Sequence, residues 1–485
     1  MARRMILTLV MLLQVGLTAS LAGAATYYVN NQMPGASDDN PGTIEEPWLT
    51  IQHAADVMQP GDTVIAKPGV YSEAVLLSVS GAKEAPIVFK GEPGAVLDGS
   101  ETGGDYGYGF YGFSNLDPNQ GWGFAFVDFI RIEGFEISNF MFGIYAYPAY
   151  LNWETGESLG ANGWSVANNV VHDCSHTGIN LWGGASADAG NIIVGNFLYN
   201  NSWTDIHTHH YSVVERNVAL SHAEVENLRA CDAYFQQGAT HKVNNNIAMN
   251  GAYGILISYP GSEYKNNVIM NIQPRYNEWA DRWEGGFAFN NRLYIRLYDL
   301  STVNISYNNL FNVAEPVGIG GYYTEPQQMP DNAVGNISAD PLFVNNTGDH
   351  TGDYHLTADS PCIDAGDPAD PVPAGGGSRI DIGVYEFGKA DIPSLIASKH
   401  LFYDQGLIDN KGILTALDAK LNAAMAALGR GQVKTAQNIL TAFINQAEAQ
   451  TGKHVAVGAS QSLIEDAKMI LKSIEIMEAR KGAKK

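Results

Sequence analysis

The chain has 485 residues, 51 of them acidic and 28 basic, for a net charge of −23. That balance repels phosphates and excludes unassisted nucleic-acid binding. Three cysteines, Cys174, Cys231 and Cys362, are too few and too scattered for a disulfide framework and read as buried small residues.

Arg3 and Arg4 precede an apolar run over 5–15 and a small-residue tract ending at Ala25. This is the layout of a secretory signal peptide, here 1–24 with cleavage near Ala24. No later stretch is apolar enough to span a bilayer, so the expected location is secreted, periplasmic or cell-surface. Residues 25–388 then form one domain rich in Asn, Gly, aromatic and β-branched residues. It opens with segments 47–55, 60–64, 68–71 and 85–88, which alternate short apolar runs with Pro-Gly turns.

From residue 165 on, a short strand, an asparagine and a second apolar strand recur, marked by Asn169, Asn196, Asn217, Asn246, Asn267 and Asn309. The period is that of a β-solenoid turn rather than of a helical repeat. Asparagine suits such a corner because it tolerates the left-handed conformation and can bond to the amide one turn on. Another strand in each turn begins with a small or polar residue, at 143–147, 178–182, 205–209, 227–231 and 254–258. Alternation along a strand stacks Ile144, Ile179, Ile206, Leu228 and Ile255 inside, with Ala146, Leu181, Thr208, Ala230 and Ile257 beneath them. The outward rows become Tyr145, Asn180, His207, Arg229, Leu256 and Tyr147, Trp182, His209, Cys231, Ser258. Trp122, Trp164 and Trp203 read as packing or turn residues.

The doubled gap between Asn267 and Asn309 holds a protruding loop, 274–283, suited to roof a groove, and the strand-like run 293–298. The domain closes with 339–343, 354–356, 360–366 and 381–386. Past a linker at 389–398 the composition turns to Ala, Leu, Lys and Glu. Three helical stripes follow: Leu414, Leu417, Leu421, Met425, Leu428; then Ala436, Leu440, Phe443, Ala447; then Leu463, Ala467, Ile470, Ile474. They predict a three-helix bundle within 399–485.

Those repeats, together with the opening and closing segments, resemble the pectate-lyase-type right-handed parallel β-helix superfamily of exported proteins. The resemblance covers nearly the whole of 25–388 and implies that fold, with an amphipathic helix hiding the open edge of the first coil. Around 401–474, through Gly412, Ile413, Ala442 to Ile444 and Gly452 to His454, the chain is similar to the helical FIMAH module of exported carbohydrate-related proteins. The helical composition itself reads as a packing or attachment part without chemistry, able to contact another protein or the cell surface.

The outward rows hold aromatics, histidines and an arginine where a solvated face would hold Lys, Glu and Ser. Aromatic rings dock sugar faces, and an arginine matches a carboxylate bidentately. In the superfamily this face commonly forms the substrate groove, so the expected partner is a polysaccharide, most naturally an anionic one. The expected reaction is β-elimination at a uronate, which needs charge neutralisation, a base and an acid. His207, His209 and Arg229 are the candidate catalytic groups, with Lys242, and Lys265 beside it, as reserve bases. Tyr145, Tyr147, Asn180, Trp182 and His210 are the candidate substrate contacts. The resemblance also suggests Ca2+, for which Asp205, Asp232, Glu224 and Glu226 are candidate oxygen ligands, although no stretch has calcium-loop spacing; no organic cofactor is indicated. His207 and His209 with Asp205 form an alternative transition-metal set. Two further functions compete: non-catalytic glycan binding or adhesion, and glycoside hydrolysis by a carboxylate pair such as Asp205 with Asp232 or Glu224.

Overall fold

The computed structural model describes most of residues 24–474. Outside the described residues lie 1–23, 113–126, 152–157, 221–231, 290–302, 314–332, 475–485 and shorter breaks. The signal-peptide reading of 1–24 therefore falls almost wholly outside them.

Each turn of the chain lays down three short strands, for example Ser165–Ala167, Val170–His172 and Thr177–Leu181. Each strand pairs in parallel with its equivalent one turn on. Stacking yields a first sheet of ten strands, from Thr26–Val29 to Asn304–Ser306, and a second of nine, from Gly69–Tyr71 to Asn309–Val313. A third sheet of eight runs from Val75–Leu76 to Gly286–Phe289. This is a parallel β-helix, with the right-handed sense that parallel crossovers take.

The interior is a stack of apolar columns, since every second residue of a strand points inward. Val166, Ile193, Val214 and Val243 fill one column, Val171, Leu198, Ala219 and Ala248 a second, and Ile144, Ile179, Ile206 and Ile255 a third, all fully buried. Cys174 and Cys362 are buried and unbridged, and Trp164 is a core residue, as expected; Cys231 and Trp122 lie outside the described residues.

The asparagine ladder runs between the first and second sheets through Asn169, Asn196, Asn217, Asn246, Asn267, Asn308 and Asn336. In each but the last, the main-chain N–H and Nδ2 both donate to the Oδ1 of the next, at 2.9–3.1 Å. Two details differ from the sequence reading. The rung after Asn267 is Asn308, whereas Asn309 starts the next strand and donates to the Ala339 carbonyl. The left-handed residue is the one before each rung, namely Asn168, Gly195, Arg216, Asn245, Asn266, Tyr307 and Gly335, with φ between +54° and +68°. The rung itself is kept for its side chain, which satisfies corner amides that the sheets cannot reach.

The edges are closed as expected at the entry, where helix Ile51–Val57, capped by the Thr50 hydroxyl, buries Ile51, Ala54 and Ala55 in the coil core. At the exit the chain folds back over the outer face of the second sheet. There Phe343, Tyr354, Leu356, Cys362 and Ile382 cover Val218, Leu220, Ile247, Met249, Val268 and Met270. The Lys265 ammonium bonds Asp367 at 3.1 Å and Asp370 at 2.8 Å in this segment. That reserve base is thus a buried structural tie.

The helical part buries its own cluster, from Ile392 to Ile474. Its helices Lys411–Gly429 and Val433–Gln450 match the first two stripes, and Leu463, Ala467, Ile470 and Ile474 join the cluster. The first stripe turns through Ala424, while Met425 is 41% exposed. The segment read as a linker is largely helical: Ile392–Asp404 is a further helix, and Ile392 and Leu395 enter the same cluster. Among the described residues no helix is long and apolar enough to cross a membrane.

Candidate functional site

The outer face of the third sheet collects the residues singled out for chemistry. Strands Phe142–Ala146, Thr177–Leu181 and Thr204–His209 align so that Tyr145, Asn180 and His207 form one row, as the alternation requires. Tyr111 extends that row one turn earlier.

The row does not continue as expected. The strand over Thr204–His209 is Asp232–Gln237, which pairs Ile206 with Tyr234 and His207 with Phe235. Arg229 lies outside the described residues, three positions before that strand, and is not the one-turn neighbour of His207. Positions 229 and 235 differ by an even number, so in–out alternation cannot separate the two registers. Tyr234 takes the register position, between Ile206 and Ile255, that was assigned to Leu228.

Nor is the face an ordinary solvated surface. His207 is 2% and Asn180 3% exposed, while Tyr108, Tyr111, Tyr145, Tyr147, His176, Trp182 and Trp203 are half-buried. Their rings form a closed circuit. Tyr108 contacts Phe142 at 5.5 Å, Phe142 contacts His176 at 4.6 Å, His176 contacts Trp203 at 4.6 Å, and Trp203 contacts His207 at 5.4 Å. The return path runs from His207 to Trp182 at 4.9 Å, to Tyr147 at 5.0 Å, to Tyr145 at 6.4 Å and back to Tyr108 at 5.2 Å. Thr177, Asn180 and Thr204 come from strands that carry this circuit and are buried. The Asn180 Oδ1 accepts no hydrogen bond among the described residues.

The phenols of the circuit and the His176 imidazole are neutral near pH 7. Burial raises the phenols of Tyr108, Tyr111, Tyr145 and Tyr147, and for Tyr145 the neighbouring Tyr108 and Tyr147 add to it. Burial lowers His176 to about 4, and its Nδ1 sits 2.8 Å from the Thr177 hydroxyl. His176 was missed in the sequence because it precedes its strand and repeats in no other turn.

Of the proposed calcium ligands only Asp205 has a described side chain. Asp205 is 1% exposed and turned into the coil, since a Cβ at Gly178, stacked on it one turn earlier, would meet Leu198 Cδ2 and Asn201 Nδ2 at 3.0 Å each. One carboxylate oxygen accepts from Asn201 Nδ2 at 2.7 Å; the other has no partner among the described residues. Burial, opposed by that bond, pushes Asp205 up to about 7. The Asp232 and His209 side chains, with Glu224, Glu226 and His210, lie outside the described residues. Among the described residues no three His, Cys, Asp or Glu side chains gather as a metal site, so no step below runs through calcium or a transition metal.

Lys242 stands on the first sheet, exposed, 3.9 Å from Glu263. It is on a different sheet from His207. The loop 274–283 is in part a small antiparallel hairpin, Arg275–Asn277 with Arg282–Glu284, inserted between second-sheet and third-sheet strands; residues 293–298 lie outside the described residues.

No family model matches the chain. The uncharacterized protein YwoF of Bacillus subtilis (strain 168) is 39% identical over 57 residues, 12% of either chain. Pectate lyase PEL9 of Emericella nidulans is 29% identical over 206 residues, covering 37% of this chain and 48% of that one. The chain thus spans 12% and 48% of the length of these curated relatives. Among solved structures it is similar to pectate lyase Pel9A, with TM-score 0.43 and 16% identity over 76% of this chain and 98% of that one. It is also similar to a rhamnogalacturonan lyase, with TM-score 0.39 and 14% identity over 70% and 97%. At that distance these likenesses bear on neither substrate nor residues. By its three stacked parallel sheets and laddered corner the chain is a parallel β-helix, and over 206 residues it is similar to a pectate lyase.

Proposed function

We propose that the protein binds a polysaccharide along the outer face of the third sheet and cleaves it at a uronate unit by β-elimination. The observation that carries this reading is the aromatic circuit, whose half-buried rings offer apolar faces to sugars. Rungs about 4.8 Å apart suit a chain laid along the coil axis. The relative named pectate lyase PEL9 supports the reaction class. In the elimination a base takes the proton from the carbon α to the carboxyl group, its electron pair forms the C=C bond, and the glycosidic oxygen leaves and is protonated. His207 is the candidate base or acid on the described strands, and Arg229 the candidate partner for a carboxylate. Incubation with pectate, alginate and glycosaminoglycans should produce the ultraviolet absorbance of an unsaturated uronate; sugar release without that absorbance would mean hydrolysis instead.

One observation favours a second reading, glycan binding without cleavage: Phe235, not a cation, pairs with His207. Binding of oligosaccharide with no product of either kind would select it. We further read 1–24 as an export signal and 399–485 as an attachment module. The secreted protein's intact mass should place its start near Ala25.

A further inference from the structure

We propose that the sugar unit seated over Asn180 carries no charge, being a uronate whose carboxyl group is esterified. The inference rests on the reading that this face binds polysaccharide, and it specifies the ligand.

Three observations converge on it. The outward side chains described on the strands from Tyr108–Gly112 to Thr204–His209 include no Lys, Arg, Asp or Glu. A free carboxylate bound there would lose its hydration and gain no ionic partner from these strands, a costly exchange in a site walled by aromatic rings. The second is the amide at the centre. Ile179 and Leu181 are core residues, so the alternation aims Asn180 outward, into the circuit. It is 3% exposed, and its Oδ1 accepts nothing among the described residues. A buried acceptor of this kind is satisfied by a donor, which a sugar hydroxyl supplies and a carboxylate does not. The third is that the surrounding phenols and the His176 imidazole stay neutral near pH 7, so they offer a bound carboxylate no cation. The chemistry is consistent with elimination, because an esterified uronate carries its own charge neutralisation and needs no cation at the carboxyl group.

The test is calorimetric titration of the full chain with oligogalacturonides of one length, as methyl ester and as free acid, at low and at high salt. The ester should bind at least about tenfold more tightly than the acid, with an affinity that salt leaves unchanged. Asn180→Leu should weaken ester binding by about tenfold or more, while the unfolding midpoint of the sugar-free protein is kept or raised, since no bond to Oδ1 is lost. Equal or tighter binding of the acid, weakened by salt, overturns the inference and leaves the elimination reading standing. Failure of both ligands to bind overturns it too, as does an Asn180→Leu variant that binds the ester undiminished. Should that variant not fold, the ester–acid comparison on the natural chain decides alone. Ester binding without unsaturated product would sink the elimination reading and leave this inference intact.

Discussion

At the scale of single residues, the same amino acid does opposite work depending on the side of the strand it occupies. Asn217 sits in the corner, where its Nδ2 donates to the Ile193 and Glu215 carbonyls and to Asn246 Oδ1. Its own Oδ1 accepts both donors of Asn196. Asn217→Ala strands several buried groups, each worth about 1–3 kcal/mol, and should lower stability by roughly 3 kcal/mol in denaturant unfolding. Asp205 works against the fold. Its folded-state pKa, near 7, lies above the ordinary carboxylate value, so between about pH 4 and 7 the folded state holds the proton that the unfolded state releases. Stability therefore falls as pH rises through that window, by at most roughly 1.4 kcal/mol per unit, and flattens above it. Asp381 and Glu386 are raised in the same range, mainly by burial, so the diagnostic is a difference: Asp205→Asn should be more stable than the natural chain at pH 8 and indistinguishable from it near pH 4. His207→Ala, expected from alternation alone to spare the fold, should cost about 1–3 kcal/mol because the imidazole is packed against Trp182 and Trp203.

Among elements, the strand Asp232–Gln237 shows what pattern can and cannot fix. The run 227–231 has the right alternation and a small or polar start, and so does 232–237. Only stacking chooses between them, by setting Tyr234 in line with Ile206 and Ile255. A charge placed in that column is buried without a partner, so Ile206→Asp and Tyr234→Asp should both abolish the cooperative unfolding transition seen by circular dichroism. Retention of the transition in Tyr234→Asp, with its loss in Leu228→Asp, would restore the register read from sequence.

Over the whole molecule, two apolar cores are built from different stretches of chain: the coil with its exit segment, and the helical cluster that begins at Ile392. Truncation after Phe387 should accordingly leave the β unfolding transition in place. Truncation after Val313 removes the cover of Val218, Leu220, Ile247, Met249, Val268 and Met270. That uncovered row is an aggregation surface, so the shorter product should aggregate or unfold, as light scattering would show.

The coil itself was legible in the sequence because its signals are local and repeated. The corner asparagines, the inward Ile144, Ile179 and Ile206, and the opening and closing segments each recur or sit at a fixed place, and stacking only multiplies them. A second ladder is equally legible: Asn139, Asp173, Asn200 and Asn250 each follow a second-sheet strand, and Asn271 and Asn312 each stand one residue before the end of one, all with φ between +51° and +70°. The helical stripes were likewise set by spacing, apart from the early start at Ile392. What the tertiary structure alone decided was which strand lies on which and what covers the outward face. A slip of six residues keeps every side chain on its own side, so Phe235 in place of Arg229 beside His207 has no signature along the chain. Burial of an outward residue such as Asn180 or His207 likewise depends on rings contributed by neighbouring turns.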